Sequence, residues 1–456
     1  MARSSSSSGA GKAALLNPRT TTYEWGGPLG AFGIVNGLPL VIIGLNTLCS
    51  DTSAGLLEGL VKLPQAIHAN FSNALPNLQT AVAVEVAWLV LHSLLYLSPL
   101  GHKVNGLPLR DGTRKVYNIN AIHAYLLSHA VLFAAHAFGV VNLAWLAEMF
   151  APLMYGAIII SIVMSVLLYF ASFRKSGGKE MLLAEGGNTG SAVYDFWVGR
   201  ELNPSLGMLD LKFMCELRPG LIGWSILNWA FVIQAYHQYQ AASAVQSNVM
   251  VSFLLSNINI VLISIFESFY ILDGLLLEAG IITMMDIVYD GFGFMLCFGD
   301  LAWVPFIYTL KTQYLTSHRT SLSAPYILAC VALHVVGYLI FRGANTEKDR
   351  FRKNPSDPRV KHLKVMKTSA GKSLIISGYW GICRHPNYVG DMMMTLAWSL
   401  LTGTGNALPY FQPLYFTILL IHRQLRDEEQ MKAKYGEKDW GAFCKIVKYR
   451  LIPFVY

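Results

Sequence analysis

Long apolar segments recur from one end of this chain to the other, and most contain close to twenty residues. A helix of about 20 residues crosses the hydrocarbon core of a bilayer. Segments that reach or approach this length lie at residues 30–49, 81–98, 120–142, 151–172, 220–242, 249–272, 281–310, 324–341, 388–402 and 407–422. Only 14% of the 456 residues are charged, whereas soluble domains carry about 25%. We therefore predict an all-α, polytopic membrane protein with about ten transmembrane helices.

Positive charge is distributed unevenly among the connections between these segments. Residues 102–115 and 348–372 carry several lysines and arginines, whereas residues 403–406 carry almost none. Because basic loops are retained on the cytosolic side of a membrane, the alternation predicts that both termini are cytosolic. Lys311 and Arg319 are the main exceptions. The net charge of +8 lies largely in such short loops, so it does not indicate a nucleic-acid-binding surface.

The chain has no internal repeat and no second soluble domain. Residues 1–22 are rich in serine and lack the apolar core of a signal peptide, so we expect a disordered cytosolic tail before a single domain at 23–456. The six cysteines form no CxxC pair, which argues against a disulfide framework or a zinc site. His123, His129 and His136 lack the repeated clusters of a histidine box, so we favour polar packing over a metal ion.

A polar and aromatic cluster interrupts the apolar pattern near the C-terminus. Its members are Trp380, Arg384, His385, Asn387, Tyr388 and Asp391. Ionisable groups inside a membrane protein are energetically expensive and therefore mark functional sites. The basic run 348–372 precedes this cluster, and an acidic stretch at 427–429 follows it. Together they indicate a site for an anionic cofactor at a membrane surface.

Lys348 and Arg352 are the clearest candidates for binding the anion. In a helix they fall on one face at i and i+4, and an arginine can bind two phosphate oxygens at once. The same segment could instead anchor the preceding span by its positive charge, but the polar cluster that follows favours the binding role. The sequence contains no GxGxxG motif after a strand and no GxxxxGK[ST] motif, so neither a Rossmann domain nor a P-loop is predicted.

Several carboxylates lie within the apolar segments, and most are expected to pair with a neighbouring cation or backbone group. Asp286 and Asp290 stand four residues apart, beside the glycine-rich residues 291–293. We predict that this stretch breaks the helical segment at 281–310. Broken helices at membrane depth normally line cavities, so the two aspartates are candidates for a functional cavity.

Two membrane enzyme families share motifs with the chain. RHPNYVGD at 384–391, the glutamates at 428–429 and the YRLIP tail resemble the isoprenylcysteine-type methyltransferases, which bind S-adenosylmethionine but are usually far shorter. Nearly end to end, however, the chain is similar to the sterol reductases, and Pro386 is a local departure from their pattern. The matching blocks are YEWGGPLG at 23–30, GLPLRDG at 106–112, ELNP at 201–204, CELRPG at 215–220, DGFGFM at 290–295, and the stretches 374–391 and 425–453.

This resemblance implies an endoplasmic-reticulum enzyme with ten membrane helices that uses NADPH to reduce a ring double bond of a sterol. It places the sterol pocket within residues 23–342 and NADPH binding within 343–456. The first block favours the delta-14 branch, while delta-7 and delta-24(28) reductases share most C-terminal motifs. The non-enzymatic alternative is a sterol-binding or nuclear-envelope protein like the lamin B receptor, which carries a long basic region before the same scaffold. Membrane lipids and other enzymes of sterol biosynthesis are the expected partners, and nucleic acid is not.

The motifs also imply which residues form the site. The predicted cofactor contacts are Lys348, Arg352, Ile375, Trp380, Arg384, His385, Asn387, Tyr388, Asp427, Met431, Lys432, Ala433, Lys434 and Tyr435. Tyr270 matches a pocket tyrosine implicated in catalysis. An isolated alkene accepts hydride only after protonation, so a delta-14 sterol must be protonated at C15 to place a cation on C14. The proton donor stays open between Tyr270 and the carboxyl groups of Asp286, Asp290 and Asp427.

Overall fold

Helices dominate the structure. The computed structural model describes residues 16–50, 56–176, 179–242, 248–369 and 371–456. Within these residues, strands occur only as four two-stranded antiparallel hairpins. The chain divides into two compact units. The N-terminal unit comprises the residues up to Ser256 and Glu267–His318, and the C-terminal unit comprises Asn257–Phe266 and Arg319–Tyr456.

The N-terminal unit contains most of the helices. In chain order they are α1 (Gly27–Ser50), α2 (Leu56–Ala74), α3 (Leu78–Leu97), α4 (Ala121–Ala137), α5 (Ala144–Glu148), α6 (Phe150–Ala171), α7 (Ala192–Val198), α8 (Leu211–Leu217), α9 (Pro219–Ala242), α10 (Val249–Ser256), α11 (Ile258–Leu276), α12 (Met285–Val288), α13 (Phe294–Phe298), α14 (Val304–Ile307) and α15 (Leu310–Ser317). Helix α11 begins in the C-terminal unit and ends in the N-terminal unit. Short 3-10 segments lie at Leu75–Asn77 and Glu278–Thr283, and a π-helical turn lies at Gly299–Trp303.

The C-terminal unit continues with fewer and longer helices. Its elements are α16 (Ala324–Lys353), a hairpin of strands at Val365–Lys367 and Ser373–Ile375, α17 (Tyr379–Ile382), α18 (Pro386–Leu400), a 3-10 turn at Leu408–Tyr410, α19 (Phe411–Tyr435) and α20 (Glu437–Ile446). Glycines allow α16 and α18 to pack closely. A Cβ atom on Gly390 would lie 2.5 Å from the Gly337 carbonyl oxygen, and one on Gly337 would lie 2.8 Å from the Gly390 carbonyl oxygen. Small residues let two membrane helices approach backbone to backbone.

Six helical stretches among the described residues are long and apolar enough to cross a membrane. They are Gly27–Ser50, Leu57–Leu97, Phe150–Ala171, Ile258–Leu276, Phe294–Ser317 and Ala324–Lys353. Each overlaps one of the ten predicted segments. The four remaining predictions also fall on helices, α4, α9, α18 and α19, but these are shorter or more polar. Helix α2 was not predicted as a segment, because Glu58, Lys62 and His68 interrupt its apolar residues.

The hairpins are an addition to the predicted all-α class, and all of them lie in connections between helices. The largest pairs β1 (His102–Pro108) with β2 (Arg114–Ile119) around the turn of the GLPLRDG block. Two small hairpins follow in the N-terminal unit, β3 (Lys175–Ser176) with β4 (Lys179–Glu180), and β5 (Ser205–Leu206) with β6 (Leu209–Asp210). Phe213 of α8 is fully buried, with its ring 4.5 Å from that of Tyr117 in β2. The connection between α6 and α9 is therefore a packed part of the unit.

Residues near the start of the described chain contact distant parts of the protein. Asn17 Nδ2 donates a hydrogen bond to the carbonyl oxygen of Met181 at 2.9 Å. The Glu24 amide donates to the hydroxyl of Tyr194 at 2.9 Å. The last residues of the segment 1–22, which we expected to be a disordered tail, thus include one that contacts a distant loop. Residues 1–15 lie outside the described residues.

The predicted break in the segment 281–310 is confirmed. Helix α12 ends at Val288 and α13 begins only at Phe294. The backbone between them packs tightly against Gly199: a Cβ on Gly291 would lie 2.0 Å from the Gly199 carbonyl oxygen, and one on Gly293 would lie 2.3 Å from its amide nitrogen. Because no side chain fits at this contact, the glycines are required where the two backbones meet.

Candidate functional site

The C-terminal unit brings together most of the predicted cofactor contacts. Lys348 lies in the last turns of α16, with its Nζ 3.9 Å from the centroid of the Trp380 ring. The indole Nε1 of Trp380 donates to the carbonyl oxygen of Ala344 at 2.8 Å. This bond fixes the buried ring against α16, and the ring in turn supports the ammonium group by a cation–π contact. The close packing of α16 on α18 places Asn387 within 3.3 Å of Asn345.

Three cations of this cluster have no anionic partner. Arg352 and Lys434 form no ion pair within the described residues, and neither does Lys348. Both Arg352 and Lys434 are close enough to Lys348 to affect its charge, and among the described residues Asp427 is the acidic group that acts on Lys348 in the opposite direction. Three positive charges around one carboxylate leave an excess of positive charge. Such a cluster suits an anion with several phosphate oxygens.

Asp427 of α19 is held by a tyrosine on α18. The hydroxyl of Tyr388 donates to Asp427 Oδ2 at 2.9 Å, and the ring of Tyr388 stacks on His385 with centroids 4.9 Å apart. His385 Nδ1 lies 4.0 Å from the same oxygen, which is too long for a hydrogen bond. Burial lowers the pKa of His385 to about 3, with further lowering by Lys348 and Arg384. The imidazole is therefore neutral at pH 7.

Arg384 is occupied by protein groups. Its Nη1 forms an ion pair with Glu428, and its Nη2 donates to the carbonyl oxygen of Lys448 at 2.9 Å. Arg450 binds the other oxygen of Glu428 at 3.1 Å. The Arg384 amide also donates to the Tyr449 carbonyl oxygen at 2.9 Å. In the structure Arg384 thus ties the start of α18 to the C-terminal tail.

The remaining predicted contacts divide between packed and exposed residues. Met431 and Tyr435 pack against a small hydrophobic cluster centred on Trp440 and Phe443, whereas the three residues between them, Lys432 to Lys434, are exposed. Ile375 is half-buried at the end of its strand. This part of α19 therefore has an exposed basic surface, and the apolar residues at its two ends are packed against the protein.

The sequence interpretation missed Glu347 as a supporting residue. Its carboxylate accepts a hydrogen bond from the Tyr379 amide at 3.1 Å. The preceding residue, Gly378, has φ +62, and a Cβ there would lie 2.4 Å from the same carboxylate. Glycine is required at this turn because a side chain would both strain the backbone and displace Glu347. In the sequence, the order Gly378-Tyr379-Trp380 was the signal that could have indicated this turn.

Tyr270 lies in the N-terminal unit, on α11. Its ring centroid is 6.4 Å from that of Trp224 on α9. Trp224 Nε1 donates to Glu267 Oε2 at 2.7 Å, and Asn228 donates to the same oxygen at 2.6 Å. The other carboxylate oxygen of Glu267 pairs with Lys311 at 2.9 Å, and both side chains are fully buried. Tyr270 therefore stands beside a polar network in a largely apolar unit.

This network explains the exception in the charge pattern. Lys311 breaks the alternation of basic and uncharged connections because it lies inside α15 and serves as the counter-ion of Glu267. The sequence indicated that such carboxylates pair with a cation, but it gave no means of choosing the partner.

Asp286 and Asp290 gather around a different cation. Lys212 is fully buried, and its Nζ donates to the carbonyl oxygens of Ile287 at 2.9 Å and Asp290 at 2.7 Å. Burial lowers the pKa of Lys212 to about 8, although Asp210, Asp290, Glu216 and Asp286 act in the opposite direction. The two aspartates thus contribute negative charge near Lys212, whose hydrogen bonds go to backbone carbonyl oxygens.

His129 of α4 has protein partners on both ring nitrogens. His129 Nε2 is 2.9 Å from the Ser225 hydroxyl, and its Nδ1 is 2.9 Å from the Tyr125 carbonyl oxygen. Among the described residues, no group of three or more His, Cys, Asp or Glu side chains could hold a metal ion.

Comparison with known proteins identifies the family. The profile of the ergosterol biosynthesis ERG4/ERG24 family matches residues 19–456. The chain is 42% identical to the mouse protein named delta(14)-sterol reductase TM7SF2 over 435 residues, covering 95% of this chain and 97% of the mouse protein. It is 40% identical to delta(14)-sterol reductase erg24 of Schizosaccharomyces pombe, covering 95% of this chain and 97% of the yeast protein. Chicken delta(14)-sterol reductase LBR is 40% identical, and the match covers 94% of this chain but 64% of the chicken protein. The chain belongs to the ergosterol biosynthesis ERG4/ERG24 family of sterol reductases.

Proposed function

We propose that this protein is an NADPH-dependent delta-14 sterol reductase. The observation that carries the proposal is a set of three cations around the Tyr388–Asp427 pair. Lys348, Arg352 and Lys434 have no counter-ion within the described parts of the chain. NADPH bears a pyrophosphate and a 2′-phosphate, so its charge complements these side chains. The relatives named delta(14)-sterol reductase support the choice of double bond.

The residues present fit this cofactor. Lys348 and Arg352 would hold phosphate oxygens, with Arg352 best suited to bidentate contact. Trp380 would offer an aromatic wall, while Tyr388 and Asn387 would offer polar groups. The further contacts would come from Ile375, Asp427, and the turn of Met431, Lys432, Ala433, Lys434 and Tyr435. Arg384 and His385 would support the cofactor site indirectly, because they hold the start of α18 in place. When bound, NADPH supplies the hydride.

The reaction also requires an acid. We assign the proton to the hydroxyl of Tyr270, because this side chain stands beside a buried polar network and an indole ring. Protonation at C15 of the substrate leaves a cation at C14, which an aromatic face and a nearby carboxylate stabilise. Asp427 would then balance the charge of Lys348. Asp286 and Asp290 would balance that of Lys212.

The proposed topology has ten membrane helices and two cytosolic termini in the endoplasmic reticulum. The helices α4, α9, α18 and α19 would cross in addition to the six apolar stretches. A glycosylation acceptor inserted with a linker at residues 403–406 should be modified in microsomes, and one inserted at 355–358 should not. The reverse pattern would show that the number of crossings is wrong by an odd number.

One assay tests the assigned activity. Purified protein receives NADPH, NADH or S-adenosylmethionine with a panel of sterols unsaturated at delta-14, delta-7 or delta-24(28), and products are read by mass spectrometry. We expect a gain of two mass units with NADPH on the delta-14 substrate. Reduction confined to another double bond would contradict the delta-14 assignment, and methyl transfer to a prenylcysteine would contradict the reductase.

A further inference from the structure

The N-terminal unit contains a large apolar cavity away from Tyr270. Its volume is about 450 Å³, within the range of small-molecule sites. Side chains of α3, α4, α6 and α9 form its walls, together with Leu301, Pro305 and Phe306. Leu91, Leu127 and Val131 line it and are 41–57% exposed. The cavity therefore opens on the outer surface of the helices, where a membrane lipid could enter from the side.

Two polar groups in this apolar lining have no partner. Glu85, near the middle of α3, forms no hydrogen bond or ion pair within the described part of the chain. The hydroxyl of Ser128 on α4 is buried and likewise has no hydrogen-bond partner, and the residue is only 5% exposed. A polar group without a partner in an apolar site costs several kcal/mol, more if it is charged. Both groups face the same cavity, so one ligand could satisfy both.

Helix α9 separates this cavity from the network beside Tyr270. Gly223, Ile226 and Leu227 line the cavity. Trp224 and Asn228, on another face of the same helix, bind Glu267. None of the candidate catalytic residues lines the cavity. It is therefore a second compartment and not an extension of the proposed reaction site.

We propose that this cavity is an accessory binding site for one 3-hydroxysterol. The fused rings would contact the apolar walls, and the hydroxyl would donate to Glu85 while accepting from Ser128. A phospholipid acyl chain would fill the same volume but leave both polar groups unpaired, and a phosphate headgroup would not enter an apolar wall near mid-helix. The choice of ligand class rests on the sterol chemistry of the family, whereas the site itself rests on the unpaired groups.

Photo-crosslinking tests the site without any turnover. Full-length protein in nanodiscs is labelled with a diazirine sterol that has a free 3-hydroxyl, and labelled peptides are mapped by mass spectrometry. We expect labelling on α3, α4 and α9 that an unlabelled 3-hydroxysterol displaces. A 3-deoxy analogue should compete at least tenfold less well, since it lacks the hydrogen-bonding group. Equal competition by the two, or labels only on other helices, would overturn the proposal.

Two variants test the cavity from opposite walls. Glu85→Leu removes the acid at similar volume and should lower α3 labelling about tenfold or more. Gly223→Leu fills the cavity instead; a Cβ there has only Trp88 Nε1 within 4 Å, at 3.7 Å, so the variant should fold even if Glu85→Leu does not. Retained labelling in a folded Gly223→Leu protein would overturn the proposal.

Measurements of the turnover rate distinguish this accessory site from the proposed reaction site. Glu85→Leu should keep the rate at saturating sterol within about twofold of wild type, and Tyr270→Phe should leave α3 labelling intact. If Glu85→Leu abolished reduction, the cavity would be the substrate site and the accessory assignment would be wrong. Failure of the sterol assay with intact labelling would instead count against the proposed activity alone.

Discussion

Two groups of cationic side chains, one in each unit, differ in their partners. In the N-terminal unit, two buried cations have carboxylate partners: Lys311 binds Glu267 at 2.9 Å and Arg218 binds Glu278 at 2.6 Å, with all four side chains fully buried. In the C-terminal unit, Arg384 pairs with Glu428, but Lys348 and the neighbouring Arg352 have no ion-pair partner among the residues that the structure describes. Paired charges stabilise a particular packing, whereas unpaired charges of one sign are available for a ligand. We therefore expect the paired cations to be structural and the unpaired ones to bind a ligand.

Breaking a pair in the N-terminal unit should have the largest effect. Lys311→Ala leaves the Glu267 carboxylate buried without its counter-ion, which typically costs about 3–5 kcal/mol. We expect a marked loss of thermal stability, measured by size-exclusion after heating in detergent. The double variant Lys311→Met with Glu267→Leu should recover much of the loss, because neither charge remains. An unchanged melting profile for Lys311→Ala would show that the pair is not structural.

Tyr270→Phe tests whether the tyrosine hydroxyl of the N-terminal unit takes part in the reaction. The change removes a hydroxyl but keeps the aromatic ring, so we expect turnover to fall by about a hundredfold or more while NADPH affinity is unchanged. Stopped assays of sterol product give the rate, and fluorescence titration gives the affinity. Full turnover in this variant would make Tyr270 a packing residue, and the proton donor would then have to be sought among Asp286, Asp290 and Asp427.

The unpaired cations of the C-terminal unit predict a cofactor preference. Arg352→Ala should weaken NADPH binding about 10- to 100-fold and NADH binding much less, since a charge-assisted contact is worth about 1.5–3 kcal/mol. Arg359→Ala is a matched control, because Arg359 lies in the same basic run but pairs with Asp357 at 2.7 Å. Equal losses for NADPH and NADH would contradict a role in binding the 2′-phosphate.

The smallest expected effect is a pH dependence from His385. Its folded-state pKa is lowered to about 3, so below the unfolded value of about 6.5 the unfolded chain binds an extra proton. The free energy of unfolding should therefore fall with decreasing pH, by about 1 kcal/mol between pH 7 and 5.5. Denaturation of wild type and His385→Gln at both pH values measures the difference. A steeper loss in the variant would reverse the assigned sign.

The sequence alone indicated the membrane class and most of the residues that meet around Lys348 and Trp380. Apolar runs of about twenty residues are local features, so every predicted segment falls at least partly on a helix. The i, i+4 spacing of Lys348 and Arg352 and the motif around Tyr388 are equally local. They indicated which residues to consider before any contact was known.

Tertiary structure decided which charges are partners. Glu267 and Lys311 lie 44 positions apart in the chain, and no periodicity connects them; the ion pair exists because α11 and α15 meet. The same holds for Lys212, which donates to the backbone carbonyl oxygen of Asp290, and for Arg384, which binds Glu428. Apolar helices form wherever the local composition allows, but the pairing of buried polar groups depends on which segments become neighbours in space.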